Sequence, residues 1–261
     1  DLARARAEPL VVPPRSAPFL APHFTTRALA WSAADAGERR GDLRTTLDAA
    51  LQAELEAEVR HTVHALRDRG VQHAAAVVLD NARGEVLAWV VAPDFGSADG
   101  VQTDMVVSAR QPGSALKPFI YGLGFEDGLV HPDTLIEDRP TRYGSYAPEN
   151  FDLTFQGTVT VRRALQMSLN VPAVAVLDKV GASRFTARLA QAGGELVLPK
   201  GEVPGLAMGL GGVGINLQDL VGLYAGLARL GTAIPLVERR EDAAQAQVQH
   251  RLLDPVAAWY V

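Results

Sequence analysis

The chain has 261 residues, 48 % of them hydrophobic, with a net charge of −5 at neutral pH; that is enough for one large domain or two small ones with a sizeable core. No basic stripe points to nucleic acid. The absence of cysteine excludes disulfides and cysteine-based metal sites, and no run of 18 apolar residues is present to span a membrane. The opening DLARARAEPL carries no signal-peptide apolar core, so the expectation is a piece of a longer chain. Residues 9 to 22 (PLVVPPRSAPFLAP) read as a proline-rich extended linker. A helix is predicted to start near Thr45 or Thr46, with Asp48 in its first turn completing a capping pair. Its apolar positions Leu47, Leu51, Leu55, Val59 and Val63 recur every four residues, and Gly70 stops it. HAAAVVLD, the turn NARG and EVLAWVV then predict a β-hairpin. A helix from Ser114 to about Gly124 follows the Pro112–Gly113 turn. Residues 128 to 158 are irregular and long enough to suggest function. Helices are predicted over VRRALQMS, from Pro172, from Ser183 to Gly193, from Asn216 to Gly231 and after Asp254.

One short stretch, RQPGSALKPF from Arg110, carries chemistry. The chain uses 22 arginines but only three lysines, Lys117, Lys179 and Lys200. Arginine cannot give up its proton at physiological pH, whereas a buried lysine can. Ser114 at the first turn of a helix puts Lys117 on nearly the same face, with its amine in reach of the serine Oγ. A serine becomes a nucleophile when a base takes its proton, and a desolvated lysine can be that base. The helix N-terminus favours negative charge near Ser114 and offers a backbone N–H to an oxyanion. With eight serines and three lysines, a Ser-x-x-Lys is expected by chance about 0.1 times; a surface lysine on an amphipathic helix has the same spacing. A second element, Ser168-Leu169-Asn170, projects a hydroxyl and an amide from one helix junction. These can pass a proton and bind a substrate amide, or simply cap helix ends.

RTTLDAALQ, AAVVLDNARGEVLAWV, PGSALKPF and YAPENFDLTFQGTVTVRRALQMSLNVPAV with its SLN, taken together in chain order, resemble the transpeptidase domain of class A penicillin-binding proteins, of the 1C type, over roughly residues 20 to 261. The resemblance implies an α+β fold like the serine β-lactamases, an antiparallel sheet flanked by helices. It implies a peptidoglycan DD-transpeptidase that cross-links stem peptides. Ser114 would attack D-Ala-D-Ala and form the acyl-enzyme, Lys117 would be the base, Ser168 would relay the proton and Asn170 would hold the substrate amide. β-Lactams would acylate Ser114. No cofactor or metal is implied. The setting implied is the periplasmic side of the bacterial inner membrane, reached through an anchor outside these residues, with cell-wall synthesis proteins as candidate partners. Residues 1–40 are expected to be a linker after a glycosyltransferase domain, and 41–261 the N-terminal and central part of the transpeptidase domain.

The family's third motif, Lys-Thr-Gly or a close variant, does not occur; the one Lys-Gly step is Lys200-Gly201. The expectation is therefore an incomplete sheet, of which only the hairpin strands can be counted, and impaired catalysis. A DD-carboxypeptidase or β-lactamase would share the two motifs found. A non-catalytic module that binds cell-wall peptide or a partner is the alternative of another class. Other signals are weaker. Gly209 to Gly214 fit G-x-G-x-x-G without a preceding strand, which reads better as a glycine-rich turn. His61 and His64, near Glu58, share a helix face but lack a metal-site pattern. Tyr143, Tyr146 and Phe151 could line a groove or pack a loop.

Overall fold

The structure is a computed structural model, which describes residues 20–34, 42–92, 95 and 102–261. Most of the expected linker and the boundary at residues 40/41 lie outside these. The hairpin forms as the spacing predicts. β1 (Ala74–Leu79) and β2 (Val86–Ala92) pair antiparallel, with Val77 opposite Trp89 and Ala76 opposite Val90. Asp80 closes the turn by accepting from the backbone N–H groups of Ala82 and Arg83. β2 is the buried strand and β1 is half-buried throughout.

Two helices cover β2. α1 (Pro22–Ala34) sets Phe24 edge-on to Trp89, beside Ala21, Val86 and Val106. α2 (Ala49–Ala65) begins where Asp48 accepts from the N–H groups of Ala50 and Leu51, and a short 3-10 turn then ends at Gly70, in the left-handed region. Buried Gln52 on α2 clamps the strand: its amide donates to the Trp89 carbonyl (2.9 Å) and its oxygen accepts from the Trp89 N–H (2.8 Å). The outer edge of β2 is met further along by Val237, which accepts from Val86 N–H at 2.9 Å.

The larger core is built around α3 (Lys117–Glu126), a wholly apolar helix after its first residue apart from its two glycines, Tyr121 and Glu126. Leu116, Phe119, Ile120 and Leu123 are buried among residues of α5 (Asn170–Val180), α6 (Ala182–Gln191), α7 (Leu217–Ala228) and α8 (Pro255–Tyr260). Gly124 allows α5 to approach closely: a Cβ there would lie 2.7 Å from Val176. α4 (Val161–Gln166) is capped by Thr160, α7 by Asn216 and α8 by Asp254. The sequence pattern marks only the two hairpin strands; among the described residues the structure adds two short antiparallel pairs, β3 (Leu135–Asp138) with β4 (Gly157–Thr160) and β5 (Thr232–Ala233) with β6 (His250–Arg251). Helices with small antiparallel sheets make the α+β class plain.

Candidate active site

Ser114 sits on a 3-10 turn, Gly113–Leu116, that runs straight into α3. The expected α-helical start at Ser114 is thus a tighter turn, and Pro118 supplies the reason. In an α-helix the Ser114 carbonyl would accept from the N–H of residue 118, but proline has none; the carbonyl accepts instead from Lys117 N–H, three residues on. Ser114 is exposed, whereas Lys117 is only 1 % exposed. The turn is braced from behind. The Tyr224 hydroxyl donates to the Ala115 carbonyl at 2.9 Å, and Arg110 exchanges two backbone hydrogen bonds of 2.9 Å with Ile215. The glycine-rich run thereby serves as a close-packed turn under the Ser114 turn.

The Lys117 amine is held by three atoms of the second motif. It donates to the Ser168 carbonyl (2.5 Å), to Asn170 Oδ1 (2.6 Å) and to Ser168 Oγ (3.1 Å). Among the described residues, none of its hydrogen bonds goes to Ser114 Oγ. Burial pushes the Lys117 ammonium down to about 8, because the charged form loses its water. In the neutral form its two N–H bonds satisfy the two carbonyl-type oxygens. The lone pair is then left for a hydroxyl, and Ser168 Oγ is placed to donate to it.

Ser168 lies on the link between α4 and α5 with φ of +54°, a region that a non-glycine residue rarely occupies. This bend aims both its carbonyl and its hydroxyl at Lys117. Asn170 is the first residue of α5, two residues before the start expected at Pro172. Its side-chain N–H donates to the Glu149 carbonyl (2.7 Å) and its backbone N–H to Asn150 Oδ1 (2.8 Å). Asn150 in turn donates to Asp138, at 2.9 and 3.0 Å to its two oxygens, and to the Thr154 carbonyl at 2.9 Å. The sequence reading did not single out Asp138, Glu149 or Asn150. The YAPEN segment is the available signal, an asparagine in a long polar loop.

The weaker signals fall elsewhere. His61 and His64 are exposed on α2. Tyr143 and Tyr146 close a small turn by exchanging backbone hydrogen bonds. Phe151, next to Asn150, is fully exposed.

Residues 74–251 match the family described as Penicillin binding protein transpeptidase domain. The chain belongs to that family. It is 39 % identical to penicillin-binding protein 1C of Escherichia coli (strain K12) over 100 % of its own length and 33 % of that protein's. It is 33 % identical to penicillin-binding protein 1F of Bacillus subtilis (strain 168) over 60 % of this chain and 21 % of that one. The chain therefore spans a third or less of these relatives. In structure it is similar to the penicillin-binding protein PonA1 from Mycobacterium tuberculosis, with a TM-score of 0.72 at 20 % identity, covering 91 % of this chain and 67 % of that one; this likeness speaks for the fold. The penicillin-binding transpeptidase fold accordingly frames the Ser114, Lys117, Ser168 and Asn170 cluster.

Proposed function

We propose that the chain carries the acyl-transfer site of a peptidoglycan DD-transpeptidase, with Ser114 as nucleophile, Lys117 as base, Ser168 as proton relay and Asn170 as a substrate contact. The observation that carries the reading is the buried Lys117 amine, one turn after an exposed serine and hydrogen-bonded to both side chains of the Ser-x-Asn element. Neutral Lys117 takes the Ser114 proton as Oγ attacks the carbonyl carbon of the penultimate D-Ala. The Ser114 N–H donates to the oxyanion that forms. The proton then passes through Ser168 to the leaving D-Ala nitrogen, the peptide C–N bond breaks, and an ester to Ser114 remains. The amine of a neighbouring strand attacks that ester and restores the hydroxyl. Asn170 has one side-chain N–H beyond the one donated to Glu149, and this N–H is available to a substrate carbonyl.

The Lys117–Ser114 proton transfer requires the two to come together with substrate, as catalytic hydrogen bonds often tighten only in the reacting complex. The same reading places the site on the periplasmic side of the inner membrane, with stem peptides and β-lactams as ligands. It takes residues 41–261 as the N-terminal and central part of the domain. A second reading is a domain that binds cell-wall peptide without turnover. Incubation with a fluorescent penicillin, read by intact mass beside Ser114→Ala, decides between them. A covalent adduct present on the native protein and lost in the variant supports acyl transfer; reversible binding without an adduct supports the second reading.

A further inference from the structure

Asp138 is fully buried and Asn150 is 4 % exposed. A buried carboxylate needs donors, and those given to Asp138 are the Asn150 amide and the Gln156 backbone N–H at 2.7 Å. An ionised carboxylate only accepts. It therefore dictates which way the Asn150 amide turns: nitrogen toward Asp138 and Thr154, oxygen toward Asn170. That oxygen meets a group that needs it. Asn170 opens α5, where backbone N–H groups lack intrahelical partners, and the residue before it, Leu169, has no side-chain acceptor. Asn150 supplies the missing cap from 20 residues away. Its neighbour Glu149 takes the Asn170 side-chain N–H through its carbonyl, which leaves Asn170 Oδ1 facing Lys117. Two adjacent loop residues thus fix the backbone and the side chain of the residue that holds the amine.

We propose that Asp138 and Asn150 are positioning residues for acyl transfer: Asp138 orients Asn150, Asn150 with Glu149 sets Asn170, and Asn170 aims the Lys117 amine. This rests on the reading of Lys117 as the base. Neighbouring charged side chains have partners of their own. Glu137 and Arg139, flanking Asp138, pair with each other at the surface, and Glu137 also accepts from Thr158. Asp152 accepts from Thr154. On the interior side, the Tyr121 hydroxyl is held protonated by burial and then by the Asp138 charge.

The test exchanges the two groups. Asp138→Asn and Asn150→Asp each leave mismatched partners. In the double variant, Asn at 138 can donate to Asp at 150, and that carboxylate still accepts from Asn170 N–H; only the Thr154 carbonyl loses its donor. Two quantities are read on the protein that carries this chain: the rate of acylation by a fluorescent penicillin, and the titration of Lys117 by NMR of ¹³C-labelled lysine, its signal identified by loss in Lys117→Arg. Each single variant is expected to acylate about tenfold or more slowly, the scale of small misplacements at a reacting centre. The double variant is expected to recover part of that rate. Its Lys117 midpoint should rise by about half a pH unit or more, because the negative charge has moved toward the amine. Singles that acylate at the native rate overturn the proposal. So does a double variant no faster than the singles with an unmoved Lys117 midpoint. If a single variant does not fold, the double variant and its lysine titration decide. Failure of the underlying reading looks different: Ser114→Ala would still be labelled, or Lys117→Arg would acylate normally, whatever the lysine titration shows.

Discussion

Gly211 packs its backbone against Gly113, the residue before the candidate nucleophile. A Cβ at 211 would stand 2.7 Å from both Cα and N of Gly113, and Gly211 has φ of +94°. A side chain there faces backbone on one side and a left-handed conformation on the other, so it cannot escape by rotating. Gly211→Ala should therefore push the Ser114 turn outward. We expect a stability loss of about 2–4 kcal/mol, strain plus overpacking, together with slower penicillin labelling. Gly128 is the control, since it has φ of +64° but open space around its would-be Cβ. Gly128→Ala should cost only about 1 kcal/mol and leave labelling unchanged. Thermal unfolding and labelling rates of the two variants check this; equal losses at both sites would refute a role for the close contact.

Ser168 carries its strain in the backbone, with φ of +54°. Glycine adopts that conformation freely but is more flexible when unfolded, which usually costs about 0.4–1 kcal/mol. Relief of a left-handed non-glycine residue, about 1 kcal/mol or more, should offset that. Ser168→Gly is thus expected to be at least as stable as Ser168→Ala, while both lose the hydroxyl contact with Lys117 and label more slowly. If Ser168→Gly melts well below Ser168→Ala, the bend is not strained and this account is wrong.

Arg27 fastens α1 to the rest of the domain. Its guanidinium pairs with Glu238 at 2.8 and 3.0 Å and lies within 5.6 Å of the Trp31 and Trp89 rings. Glu238 is buried and also accepts from Gln218 at 3.0 Å. Removing the cation strands a carboxylate in the interior, which costs more than losing an exposed pair. Arg27 is partly open to solvent, so Arg27→Ala should cost about 1–3 kcal/mol. Amide exchange in α1 should speed up while α3 and α5 stay protected. The double variant Arg27→Met/Glu238→Gln should recover part of the loss. Uniform loosening of all three helices would argue against a local clasp.

The elements best foreseen have their signals within a few residues. Asn216 and Asp254 each cap the helix that they precede, and the NARG turn joins two β-rich runs; the helix expected from Thr45 or Thr46 starts at Ala49, with Asp48 as its cap and Thr46 Oγ1 donating to the Val86 carbonyl instead. α1 was not foreseen because it lies beside proline-rich sequence, although Pro22 in its first turn and the spacing of Phe24, Ala28 and Trp31 marked it. β3 and β4 are four residues each, too short and too polar to show a period of two. In the candidate site, Ser114, Lys117, Ser168 and Asn170 were legible as two local motifs, with the amine expected to reach the Ser114 hydroxyl. Its actual partners in the second motif, and the Asp138–Asn150 support behind them, depend on chain segments 12 to 53 residues apart. No local pattern encodes such pairings.

Lys117 links stability and acylation to pH in a definite direction. Its amine titrates at about 8 in the folded chain, against about 10.4 for an unfolded lysine. Below pH 8 both states are protonated, and the fold bears the full cost of a buried ammonium. Between pH 8 and about 10.4 the unfolded chain holds the proton and the folded one has released it, so stability rises with pH through that window. The gain should be about 3 kcal/mol by its upper end; Lys117→Met should flatten it by removing the group. The acylation rate should rise up to pH 8 and level off above it, as the neutral base accumulates. Lys117→Arg should abolish acylation at every pH, since a guanidinium releases no proton. Unfolding titrations and labelling rates from pH 6 to 10 check both arms. An acylation rate that is flat across pH 8 would remove Lys117 from the role of base, even if the stability arm behaved as expected.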